Sequence, residues 1–135
     1  MPDVKWCNPR GMIRKKIFVV EDDAAIRGCM TDLLESEGYD VTSAENGQTA
    51  INYLCDASAA DLPNLILLDL MMPVKDGSQF CTEKEAIEKL RPIPVILMSG
   101  DWKLSEKSAQ TCAVAHLLKP VDINIVLGKV KEFCA

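Results

Sequence analysis

Four apolar runs in this chain stop on groups that can do chemistry. KIFVV (16–20) runs into Glu21, Asp22 and Asp23, LILLD (65–69) ends on Asp69, PVILMS (94–99) ends on Ser99, and AVAHLL (113–118) is followed by Lys119. A carboxylate removed from water costs several kcal/mol unless something pairs with it. Asp69, which closes a strand otherwise built of Leu and Ile, must therefore be solvated, hydrogen-bonded or facing a cation. If the four runs end at one edge, the carboxylates of Glu21, Asp22 and Asp69, a hydroxyl and an ammonium share a pocket. Carboxylates that close cannot all stay ionised without a cation among them. A few hard oxygen ligands, with room left for waters and substrate oxygens, suit Mg2+. With the metal present, an accessible Asp69 can attack a phosphoryl group and form an acyl phosphate. Lys119 then offsets charge on the transferred oxygens and the Ser99 hydroxyl hydrogen-bonds one of them. Asp23 stands where a helix N-cap belongs and is read as a cap rather than a ligand.

The order of elements is what brings those ends together. Strands are expected at 16–20, 39–44, 65–69, 94–99 and 113–118. Between the first two, Ile26, Cys29, Met30, Leu33 and Leu34 recur with the helical period, and Gly38 ends the helix. After the turn signal Asn46-Gly47, Ala50, Ile51, Leu54 and Cys55 make a second stripe. A third helix is expected from about Ser78 to Leu90, bearing Phe80, Ile87 and Leu90, and a weaker fourth near 102–111. Ile123, Val126, Val130 and Phe133 line the last. Within this stretch EKEAIEKLR (83–91) reads as a solvated helix face. Uniformly apolar strands alternating with helices are buried on both faces, and right-handed crossovers make them parallel. The fold class that follows is α/β, a five-stranded, doubly wound parallel sheet of flavodoxin-like type with helices on both faces. Ligands of such sheets bind beyond the carboxyl ends of the strands, where strand order reverses.

The bulk numbers set limits on partners and location. A chain of 135 residues, 48% hydrophobic, makes one globular domain, expected over 15–135 behind a flexible leader at 1–14 that holds Trp6. Either Met1 or Met12 fits as the start. Nothing approaches the roughly 20 apolar residues of a membrane span, and the N-terminus lacks a signal-peptide core. A net charge of −5 disfavours direct binding to nucleic acid or an anionic membrane. Successive cysteines lie at least 22 residues apart, with no CxxC pair and one histidine in the chain, which argues against zinc and against a disulfide framework. Isolated cysteines are expected as small core hydrophobes, and free thiols imply a reducing cytoplasm.

IFVVEDDAAIR, LILLDLMMPVKDG, VILMSG and HLLKP together resemble the motifs of receiver domains of bacterial two-component response regulators, in the family's order, from about Lys15 to the C-terminus. The resemblance implies that Asp69 is the phosphoacceptor and that Asp22 and Asp69 ligate Mg2+. Glu21 then acts mostly through a metal-bound water, and Met71 gives the metal its backbone carbonyl. It also implies Ser99 as the switch hydroxyl, Lys119 as the family's lysine, and Asp76-Gly77 as the turn after the phosphorylation loop. The implied partners are a histidine kinase or histidine phosphotransfer protein and a downstream protein target, reached without a fused output domain.

Some positions depart from the family pattern. Ser99 stands where threonine is commoner, Gly100 replaces a frequent alanine, Val121 follows Lys-Pro where phenylalanine is frequent, and His116 occupies the place of the switch aromatic. Between Ser99 and Lys119 the chain is about two residues short of the family's usual spacing, so the fourth helix is expected to be stunted. Trp102 fits a partner contact or a lid. Two other function classes compete with the switch. An inert receiver-like scaffold has no need of so many like charges in one place. Haloacid-dehalogenase-like phosphatases also set a nucleophilic Asp after a buried strand, but with a second Asp two positions on, where this chain has Met71.

Overall fold

The computed structural model of the chain describes residues 15–69, 77–99, 113–118 and 122–134. In chain order these form β1 (Lys16–Val20), α1 (Ala24–Ser36), β2 (Asp40–Ala44), α2 (Gly47–Asp56) and a 3-10 turn (Ala59–Asp61). There follow β3 (Leu65–Asp69), α3 (Gly77–Ala86), β4 (Val95–Ser99), β5 (Ala113–Leu118) and α4 (Ile123–Cys134). All five strands pair in parallel, in the order β2-β1-β3-β4-β5. The order reverses between β1 and β3, and the register there pairs Val20 with Leu68. One step further along both strands sets Glu21 level with Asp69.

Period-two alternation sends each central strand's side chains into two cores. Ile17, Val19, Leu65, Leu67, Ile96 and Met98 pack with Leu34 of α1 and with Val126 and Val130 of α4. Phe18, Val20, Ile66, Leu68, Val95 and Leu97 pack with Ala50, Ile51 and Leu54 of α2 and with Phe80 and Cys81 of α3. Each fully buried aliphatic side chain contributes roughly 1.5–3 kcal/mol. A core of that size tolerates unfavourable acidic groups at its edge. Among the described residues no helix is long and apolar enough to cross a membrane.

Asx caps fix where helices leave the sheet edge. Asp23 Oδ1 accepts from the N–H groups of Ala25 (2.9 Å) and Ile26 (3.1 Å), the capping role read from the sequence. Asn46 Oδ1 does the same for Thr49 at 2.8 Å and Asp122 Oδ1 for Asn124 at 2.7 Å. Gly38 ends α1 as expected: its φ is +94°, its N–H bonds Glu35 O (3.0 Å), and the Tyr39 N–H bonds Leu34 O (3.1 Å). Tyr39 and Leu34 share one core cluster, which completes a Schellman stop. A Cβ at Gly38 meets no atom within 4 Å, so Gly38→Ala is opposed by the backbone alone. We expect that variant to lose about 1 kcal/mol in urea unfolding, the cost of a left-handed residue less the unfolded-state entropy removed. An unchanged midpoint would contradict this.

The structure departs from the sequence reading in the segment after α3. That helix stops at Ala86 rather than near Leu90, and 87–93 form turns, with Ile87 N–H bonded to Lys84 O (3.1 Å) and Leu90 N–H to Ile87 O (3.0 Å). EKEAIEKLR is therefore a solvated helix face only in part: Glu85, Glu88, Lys89 and Arg91 are exposed, but the helix ends inside the run and Lys84 is buried. Lys84 is 1% exposed and donates from Nζ to Arg91 O (2.9 Å), while Arg91 Nε donates to Glu85 O (3.0 Å). Lys89 Nζ donates to Cys55 O (2.7 Å) and Ala57 O (2.9 Å), placing a cation at the C-terminal end of α2. These side chains stand in for helical N–H donors and let Leu90 and Ile93 turn into the core.

Other expectations also need correcting. Ile123 is exposed, because α4 buries the stripe of Val126 and Val130 and its first turn extends past that packing. Ile26 and Cys29 are likewise exposed, burial in α1 being centred on Leu34. Cys29 and Cys55 are free and exposed rather than core residues. Cys81 is buried and disulfide-bonded. Cys81 thus departs from the expectation of free thiols, which Cys29 and Cys55 meet. The leader at 1–14 with Trp6, Asp76, Gly100, the helix near 102–111, Trp102 and Val121 lie outside the described residues.

Candidate metal-binding and phosphoryl-acceptor site

Glu21, Asp22 and Asp69 meet at the point where strand order reverses. Each offers one carboxylate oxygen, and the three oxygens lie within 4.8 Å of one another. Glu21 is fully buried and Asp69 is 3% exposed, while Asp22 faces solvent. The cluster is thus walled on the protein side and open on one side.

Each carboxylate's position follows from its element. Asp69 is the last residue of β3, whose five residues are all buried, and it pairs in register with Met98 of β4. Glu21 directly follows β1 and its N–H bonds Ala44 O at 3.1 Å, which extends the β1–β2 ladder by one step. Asp22 lies between Glu21 and the capping Asp23, in the three residues that join β1 to α1. The Arg27 guanidinium, one turn into α1, donates from Nη1 to the Glu21 carbonyl at 2.7 Å. Sequence reading passed over Arg27. Its only signal is its place one turn beyond an acidic pair and its cap, which names no partner.

Three hard oxygen donors with neither sulfur nor imidazole fit Mg2+ or a similar hard cation and do not fit zinc. Ser99 is the last residue of β4, one step beyond the Met98 that pairs with Asp69, and it pairs with Leu118 of β5. His116 sits on β5 beside Leu97 and is exposed. Lys119 and Met71 lie outside the described residues.

Comparison with known proteins is consistent with this geometry. Residues 17–131 match the family described as Response regulator receiver domain. The chain is 28% identical over 122 residues to the sporulation initiation phosphotransferase F of Bacillus subtilis, covering 90% of this chain and 95% of that protein. It is 33% identical over 119 residues to the DNA-binding dual master transcriptional regulator RpaA of Synechocystis sp., covering 86% of this chain but 47% of the regulator. The chain thus spans about half the length of that regulator. Among solved structures, the signal receiver domain of a signal transduction histidine kinase from Syntrophus aciditrophicus superposes with a TM-score of 0.80 at 29% identity, covering 89% of each chain. A family match that runs from β1 into the last helix, over a sheet of this order, shows that the chain belongs to the response regulator receiver domain family.

Proposed function

We propose that this chain is a phosphorylation-controlled signalling switch that accepts a phosphoryl group on Asp69. The observation that carries the reading is the convergence of Glu21, Asp22 and Asp69 within 4.8 Å at the end of the sheet. Carboxylates that close repel one another, and a cation site gives that arrangement a reason. Glu21, Asp22 and Asp69, with the Met71 backbone carbonyl, are assigned to hold Mg2+, which when bound neutralises charge on the reacting oxygens.

An Asp69 oxygen forms the new bond to phosphorus as the bond from phosphorus to the donor breaks, and the departing donor takes up a proton. Lys119 is assigned to balance charge on the transferred oxygens and Ser99 to hydrogen-bond one of them. His116, exposed on β5, is assigned the switch position. The chain catalyses only its own phosphotransfer and dephosphorylation.

The phosphoryl donor in this reading is a histidine kinase or a histidine phosphotransfer protein, supported by the likeness to a sporulation phosphotransferase. The recipient of the signal is a protein, since a net charge of −5 suits neither nucleic acid nor an anionic membrane. Such donors place the chain in the cytoplasm. Intact-mass measurement after incubation with acetyl phosphate tests the proposal. We expect one phosphoryl group per chain with Mg2+ and none with excess chelator. A chain that never labels would be an inert scaffold, and steady release of phosphate from small esters would make it a hydrolase.

A further inference from the structure

We infer that Arg27 is a positioning residue for the cation site, fixing through the Glu21 carbonyl the direction in which Asp22 presents its carboxylate. The inference rests on the reading of Glu21, Asp22 and Asp69 as a Mg2+ site.

Only residues 21–23 join β1 to α1, and two of them are ligands. The Glu21 N–H is bonded to Ala44 O at 3.1 Å, and the Asp23 side chain is spent on the N–H groups of Ala25 and Ile26. Asp22, exposed, lies between these two anchored residues. Its orientation is set by the peptide plane that contains the Glu21 carbonyl and its own N–H. A rotation of ψ at Glu21 that φ of Asp22 does not compensate moves that carbonyl and re-aims the Asp22 side chain with it. The Arg27 guanidinium holds the plane's oxygen at 2.7 Å with a charge-assisted bond. Arg27 is itself seated in the first turn of α1, its N–H bonded to Asp23 O (2.9 Å) and its carbonyl accepting from Thr31 Oγ1 (2.8 Å). Cap, helix turn and guanidinium together hold the ligand loop on three sides.

Charge and positioning predict opposite signs here. A guanidinium this close to a cation site repels the cation, so charge alone says that its removal tightens Mg2+ binding. Positioning says that removal loosens it.

Calorimetric titration of Mg2+ into the whole chain, well below the melting temperature, decides between them. Arg27→Ala should bind Mg2+ about tenfold more weakly than wild type, the low end of what supporting contacts to metal ligands are worth. Arg27→Lys, which keeps the charge and one donor, should recover part of that loss. Hydrogen exchange at the Asp22 amide should quicken in Arg27→Ala, which a general loss of stability confined to the core would not produce selectively. Equal or tighter Mg2+ binding by folded Arg27→Ala overturns the inference. If that variant does not fold, Arg27→Met, which keeps the stem and loses every donor, takes its place, and equal or tighter Mg2+ binding by it overturns the inference. A wild-type chain that takes up no Mg2+ sinks the site reading itself, a separate outcome from loss of Arg27's role alone.

Discussion

Asp69→Asn should remain folded and should not be phosphorylated at all. Asparagine nearly matches aspartate in shape, so the site at the end of β3, 3% exposed, keeps its packing. The carboxamide oxygen is a poor nucleophile and leaves no carboxylate to form an acyl phosphate. Because the substitution takes one negative charge from three carboxylates within 4.8 Å, the metal-free protein should melt no lower than wild type and its response to Mg2+ should shrink. Loss of labelling together with an unchanged or raised melting temperature separates chemistry from unfolding. Neither Asp22, exposed, nor Asp23, whose carboxylate caps α1, takes over as acceptor, because neither ends a buried strand. Intact mass after acetyl phosphate and Mg2+ is the measurement. Wild-type labelling of the variant would place the acceptor elsewhere and remove the reading of Asp69.

The sheet and its acidic edge were legible because each depends on short-range pattern. LILLD and VILMS can only be strands buried on both faces, and in a parallel sheet their polar last residues share one edge whatever the connections do. Asp23 was legible as a cap because its carboxylate serves N–H groups two and three residues away. What stayed hidden depends on contacts distant in sequence or on where one element stops covering another. Ile123 has the right period for the α4 stripe, but the packing begins at Val126. Lys89 and Cys55 are 34 residues apart, and no pattern links a lysine to a particular carbonyl at that range. The run EKEAIEKLR has the composition of a solvated helix, while Pro92 and Pro94 beyond it, with tight turns, end the helix early. Composition could not say that the freed carbonyls would be met by the run's own cations.

Lys84 is the sharpest of those surprises, and its burial has a measurable consequence. Its side chain is 1% exposed, its Nζ donates to Arg91 O at 2.9 Å, and the Glu85 carboxylate stands 3.4 Å away, itself largely in solvent. Lys84→Ala should cost about 2–4 kcal/mol in urea unfolding, from the cavity left by the stem and the lost bond to the turn 87–93. Lys84→Met, which keeps the stem and drops the charge, should stay within about 1 kcal/mol of wild type near neutral pH, because the ammonium's desolvation is removed with its hydrogen bond. The pH dependence separates those two terms. Burial lowers the Lys84 pKa below the ordinary 10.5, and the smaller influence of Glu85 opposes it. Between that lowered value and 10.5 the unfolded chain binds more protons at this position than the folded one, so stability rises with pH across the window. Below the window both states are protonated and the cost of the buried charge is carried in full. Every other ionisable group is common to both proteins. The difference in urea midpoint between wild type and Lys84→Met, taken from neutral pH up to 10.5, therefore isolates this group. The difference should move in favour of wild type as pH rises. A difference independent of pH would mean that the ammonium is no harder to keep charged in the fold than in water, and that the bond to Arg91 O fully offsets its burial.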